Sequence, residues 1–347
     1  MIAAITCVFL LSSFFAFFEE KLGRFKWYVY ALIGVALVLL AAFRPIGIDN
    51  DSYSYENYFV NYDNPLYEVS VEYSYRYLSE LLYPIFKDVH VIFLLYAIGG
   101  VGLKFGAFRK LTPMPFMAVA VYICTYFVLH EFTQIRVGVS SGLLLFIIMA
   151  IAERHRKQAI ALILVSLVFH YSSALMIPLL FFSNDEMSEK ERNLWCLLVP
   201  AGYICYFLHI GLTSLPIPYI AEKFEAYEEL KGKGFLDEVN VFNLLFLLKI
   251  VIFYYVMAYY DVIKPHNKYL PIMMKMESLS LFSFTALSSL PVLSFRVSEL
   301  YGIVEIILYC NLFYTIRPWW LSKIAVTCWA YILFAIAVFY NELIQPW

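Results

Sequence analysis

The sequence predicts an all-α polytopic integral membrane protein of about 11 to 12 transmembrane helical elements, organised as one membrane domain over residues 1–347. Of the 347 residues, 62% are hydrophobic and only 15% are charged, against about 45–50% apolar and about 25% charged in soluble domains. Apolar runs recur near residues 1–18, 27–43, 89–107, 114–130, 137–152, 158–182, 194–212, 241–260, 270–293, 299–316 and 322–340. A helix needs about 20 residues to cross a hydrocarbon core of about 30 Å, and it satisfies its own backbone groups in lipid. The runs are too long for the alternating strands of a barrel.

The elements follow in order from the loop charges, because Lys and Arg in short loops stay in the cytoplasm. The first run is followed by Glu19, Glu20, Lys21, Arg24 and Lys26, so a retained span is expected rather than a cleaved signal. With Lys21, Arg24 and Lys26 inside, the second span carries the chain out and leaves 44–87 as an outer loop. The third returns Arg109 and Lys110 to the inside, residues 130–136 lie outside, and Arg154, Arg156 and Lys157 lie inside again. The run 158–182 reads as one tilted helix or as a hairpin turning near His170. The charge rule favours the hairpin, because the inner loops then collect more of the Lys and Arg. Both termini then face outward, as does a second polar loop, 213–240, whose stretch 219–231 is amphipathic through Tyr219, Ile220, Phe224 and Tyr227 and is expected to lie on the membrane as a lid.

Charge and cysteine content exclude other classes. The 25 Lys and Arg against 27 Asp and Glu leave no basic excess, so nucleic acid is not an expected partner. The six cysteines, Cys7, Cys124, Cys196, Cys205, Cys310 and Cys328, form no CxxC pair and read as small buried hydrophobes. No cofactor is called for.

Four residues converge on the outer interface in this topology. Arg44 follows the second span in FRPIGIDND, Arg136 opens the fifth in EFTQIRVGVSSG, His170 sits in LVFHYSSALMIPL, and Arg296 lies in LSFRVSEL. One arginine at a helix end is accounted for by snorkelling to headgroups. Three on the less positive face call for an anion, and a guanidinium fork suits a diphosphate. His170, among small polar residues at a helix turn, is placed to take a proton from a hydroxyl nucleophile. The loop 44–87 is dense in tyrosines and carboxylates, which suit sugar rings; Asp49, Asp51, Tyr53 and Tyr55 are the candidate sugar-binding residues. Asp49 and Asp51 also form a DxD, which in some glycosyltransferases holds a divalent metal.

Taken together, Arg44 with the GID that follows it and its spaced tyrosines, IRVGVSSG at 135–142, FHYSSAL at 169–175 and FRVSE at 295–299 resemble the EpsG family of Wzy-type polysaccharide polymerases. Val137 stands where that family commonly has a polar residue. The resemblance implies a multi-pass protein of the bacterial inner membrane with a GT-C-like architecture of lipid-carrier glycosyltransferases and two outer loops. It implies transfer of a growing glycan from undecaprenyl diphosphate to a hydroxyl of an incoming undecaprenyl-diphosphate-linked repeat unit, making O-antigen, capsule or exopolysaccharide on the outer face. In that reaction Arg44, Arg136 and Arg296 hold the diphosphate without a metal, and His170 with Arg136 carries the chemistry. The partners implied are the lipid-linked oligosaccharide, the bilayer, a chain-length regulator and a flippase. The residues alone leave open a lipid-linked sugar transporter or flippase, which predicts an alternating-access cavity lined by Lys249, Lys275, Glu277, Glu299 and Glu305, and a membrane glycan ligase or acyltransferase.

Overall fold

The computed structural model describes residues 1–65, 71–210 and 239–344, and every regular element among them is helical. The chain divides into two compact units, Met1–Phe182 with Ile306–Trp347, and Ser183–Glu305.

The first unit begins with α1 (Ile2–Phe18) and α2 (Lys26–Ala42). The expected outer loop holds two helices, α3 (Ser52–Val60) and α4 (Tyr73–Phe86). Then come α5 (His90–Leu111), α6 (Pro115–Tyr122), α7 (Ile135–Ala152) and α8 (Arg156–Phe169). Pro115 opens α6 at its first turn, where a missing N–H costs nothing. The Lys323 ammonium donates to the Ala16 carbonyl at 2.8 Å, satisfying the C-terminal end of α1. Glu19 accepts the Phe116 N–H at 3.4 Å at the electropositive start of α6. The Tyr30 hydroxyl donates to the Phe105 carbonyl at 3.0 Å and ties α2 to α5.

Two departures from regular α-helix shape this unit. Past Tyr122 the backbone widens into a π-helix, Ile123–Thr133, and the Gln134 N–H reaches the Leu129 carbonyl five residues back at 2.7 Å. The expected outer loop over 130–136 is therefore reduced to the single residue Gln134 between this helix and α7, and His130 is wholly buried. At His170 the backbone turns extended (φ −154°, ψ 120°) before a 3₁₀ helix, Tyr171–Phe181. Ser166 Oγ donates to Ser173 Oγ at 2.8 Å, and Ser173 Oγ lies 3.2 Å from the Ser166 carbonyl. Seven residues of straight helix would separate them by about 10 Å, so the run 158–182 folds back at His170 as the hairpin expectation has it.

The second unit contains α9 (Glu189–Phe207), α10 (Leu244–Ala258), α11 (Leu270–Ala286) and α12 (Pro291–Gly302). A capping box of Ser188 and Glu191 starts α9. Lys249 on α10 pairs with Glu305 at 2.7 Å, and Lys275 donates to the Ser183 carbonyl at 2.9 Å.

Among the described residues five helices are long and apolar enough to cross a membrane: Gly23–Ala42, His90–Leu111, Pro115–Thr133, Ile135–Ala152 and Trp319–Phe339. Leu244–Ala258 with Tyr260–His266, bent by 69°, makes a sixth if it is one broken span. Fewer runs pass than the eleven apolar stretches because several are cut into pieces shorter than a bilayer, at His170, at residues 287–290 and at residues 303–304. The amphipathic stretch 219–231 lies outside the described residues. The cysteines differ from expectation in part: Cys124 and Cys310 are buried, but Cys7 and Cys328 are exposed.

Candidate functional site

The segment FRPIGIDND is built around one buried ion pair. Arg44 Nε donates to Asp49 Oδ2 at 2.9 Å, Nη1 to the Ala41 carbonyl at 2.7 Å and Nη2 to the Phe132 carbonyl at 2.8 Å. Its guanidinium lies 3.8 Å from the centre of the Phe93 ring. The other oxygen of Asp49 accepts the N–H groups of Asp51 and Ser52, at 3.0 and 2.9 Å, at the start of α3. Gly47 at φ +88° allows the turn, and a Cβ there would come within 2.6 Å of the Tyr53 hydroxyl. Arg44 and Asp49 are thus spent on each other and on the backbone. This geometry corrects the expectation of Arg44 as an open diphosphate ligand and of Asp49 as an open sugar-binding residue, since both side chains are fully buried and both oxygens of Asp49 already accept hydrogen bonds.

The tyrosines of the loop separate by burial. Tyr55 and Tyr75 are core residues with Phe59, Phe93 and Tyr96, and the Tyr75 hydroxyl donates to the Tyr55 carbonyl at 2.7 Å. Burial pushes both phenols above their ordinary range, so they stay neutral. Tyr55 is therefore a wall of the site rather than an open sugar platform. Tyr53, 65% exposed, is available to solvent, and Asp51 sits at the N-terminal boundary of α3.

Arg136 and His170 come together through a residue the sequence did not single out. Glu72, immediately before α4, places one carboxylate oxygen against Arg136 Nη1 and the other 2.7 Å from His170 Nδ1. The Arg136 guanidinium lies 5.4 Å from the centre of the Tyr55 ring. Glu72 and His170 are buried, whereas the Arg136 side chain is 20% exposed. The first turn of α7 supplies Arg136, the break after α8 supplies His170 and the α3–α4 loop supplies Glu72, so three separate stretches meet in one unit. Chemically the group holds a cation that can meet an anion, and an imidazole whose Nδ1 is oriented by a carboxylate. Arg296 is exposed on α12 of the second unit, and the constellation described here consists of first-unit residues.

A second polar group in the same unit is more fully buried. Lys104 Nζ donates to Glu131 Oε1 and to the Gly138 carbonyl, both at 2.6 Å, and the Tyr122 hydroxyl donates to Glu131 Oε1 at 2.8 Å. Ser141 Oγ lies 3.1 Å from His130 Nδ1. The Glu131 carboxylate fills a notch between Gly100 and Gly138, where a Cβ would come within 2.1 and 2.9 Å of Oε2. Two glycines that look like helix-packing residues in sequence are thus the space for a buried acid.

Long apolar helices carrying a buried polar site between them define a multi-pass membrane protein. The chain belongs to the EpsG family: the family model matches residues 27–347. That family is associated with Wzy-type polysaccharide polymerases. Comparisons with curated proteins and with solved structures give no match.

Proposed function

We propose that this chain is a polysaccharide polymerase of the bacterial inner membrane, transferring a growing glycan from undecaprenyl diphosphate to a hydroxyl of an undecaprenyl-diphosphate-linked repeat unit on the outer face. The observation that carries the reading is the shared contact of Arg136 and His170 with Glu72. The acceptor oxygen attacks the anomeric carbon of the donor and forms the new glycosidic bond. The bond from that carbon to the diphosphate oxygen breaks, and its electron pair leaves with the diphosphate. The acceptor proton passes to His170 at Nε2, opposite the nitrogen held by Glu72. Arg136 meets the charge that develops on the leaving diphosphate. Arg44 with Asp49 serves the reaction indirectly, by fixing the loop in front of Tyr55. The exposed Tyr53 and neighbouring Asp51 are the loop residues of this reading that meet the sugar.

The purified chain in proteoliposomes, supplied with undecaprenyl-diphosphate-linked repeat units, is expected to give a ladder of lengthening glycans. Arg136→Ala and His170→Ala are each expected to lower the rate by about 10²-fold or more while leaving folded protein in normal yield. A full-length ladder from either variant overturns the site assignment. Movement of lipid-linked units across the bilayer without elongation supports a flippase instead.

A further inference from the structure

We propose that Glu72 is a positioning residue that stands in for the substrate diphosphate at Arg136, and that its displacement by the diphosphate couples donor binding to activation of His170. The backbone of Glu72 is fixed by α4, because its carbonyl accepts the N–H groups of Tyr75 and Arg76 at 3.1 and 3.2 Å. Its side chain does not cap that helix; it turns instead to Arg136 and His170, one oxygen to each. A guanidinium partly withdrawn from solvent beside the Tyr55 ring is costly without a counter-charge, and Glu72 supplies one before a diphosphate binds. The same donors that hold a carboxylate hold a phosphate, so the two anions compete for one edge of Arg136.

Accessibility sets the direction of the exchange. Arg136 is the open member of the three, at 20% exposure, while the Glu72 and His170 side chains are 7% and 10% exposed. An entering diphosphate meets the guanidinium first. Once Arg136 turns to it, the Glu72 charge is no longer shared and falls wholly on the His170 ring. The carboxylate then favours the imidazolium that forms when the acceptor proton arrives. The order that follows is donor first, acceptor activation second. A ligand shifts such an equilibrium only by the difference in its affinity for the two arrangements, and that difference lies in the contest at Arg136.

A purely structural Glu72 and a stand-in Glu72 predict opposite signs. In Glu72→Gln the competitor has lost its charge but keeps its shape. The Kd for inorganic diphosphate, measured by calorimetry on the purified full chain in detergent, is expected to fall about tenfold. Turnover on lipid-linked repeat units is expected to fall by about 10²-fold, because His170 loses its carboxylate. In an Arg136→Ala background the Glu72→Gln change is expected to leave the diphosphate Kd unaltered, since the effect passes through Arg136. Glu72→Asp, which keeps the charge but draws it back from Arg136, is expected to shift the Kd in the same direction by a smaller factor, and it replaces the glutamine variant if that one does not fold. Diphosphate binding that is unchanged or weaker in the Glu72 variants overturns the inference. The turnover arm rests on the polymerase reading, and the two fail separately: an unmodified chain that makes no polymer removes that reading, whereas one that polymerises while its Glu72 variants fail to tighten diphosphate removes this inference.

Discussion

Lys104 and Glu131 are both wholly buried among the helices of the first unit, 2.6 Å apart. A buried pair of this kind gains little over an apolar pair, but removing one partner leaves a charge without compensation, at a cost of about 3–5 kcal/mol. Lys104→Met and Glu131→Gln singly are therefore expected to lower the Tm in detergent markedly, whereas the double change Lys104→Met/Glu131→Leu is expected to recover much of the loss. A thermal melt of the three variants checks this, and additive losses would contradict it. The candidate arginines and the histidine stood out in sequence because such residues are conspicuous at the ends of apolar runs. Glu72 did not, since it is one of several acids in a polar loop and nothing in its spacing points to residues 64 and 98 positions away.

At the level of the helices, ends and breaks do most of the organising. His170 sits where α8 stops, so its ring enters the site from a turn rather than from a helix face. Glu19 couples α1 to α6 in a pH-dependent way. Burial raises its carboxyl from an ordinary value of 4.5 to about 7. The folded chain then binds this proton more tightly than the unfolded chain, so stability falls as pH rises through 4.5 to about 7, and this contribution is gone above that window. The Tm is expected to be higher at about pH 5 than at about pH 8, and Glu19→Gln is expected to reduce the difference. An identical pH profile in the variant would show that the acid lies elsewhere. The apolar runs announced most of these helices, but not the π-helix or the break positions, which depend on what each turn packs against.

For the molecule as a whole, the inside–outside assignment depends on the turn at His170. With the chain folded back there, Ser183 follows the second arm and is expected on the cytoplasmic side. Ser183→Cys in cells is expected to resist a membrane-impermeant maleimide applied from outside and to react after permeabilisation. Labelling from outside would reverse every later loop. The division into two units was not expected from the composition, which is apolar throughout.

By itself the sequence determined the class and the family: a helical membrane protein of the EpsG family, whose model matches residues 27–347. Those properties are written locally, in the length of apolar runs and in short motifs. Tertiary structure decided which charges are committed and which are open. It closed Arg44 on Asp49, buried Tyr55, seated Glu131 between two glycines and joined Arg136 to His170 through Glu72. The physical reason is that a buried charge is defined by its partner, and here the partners come from distant parts of the chain that only the packing of helices brings within hydrogen-bonding reach.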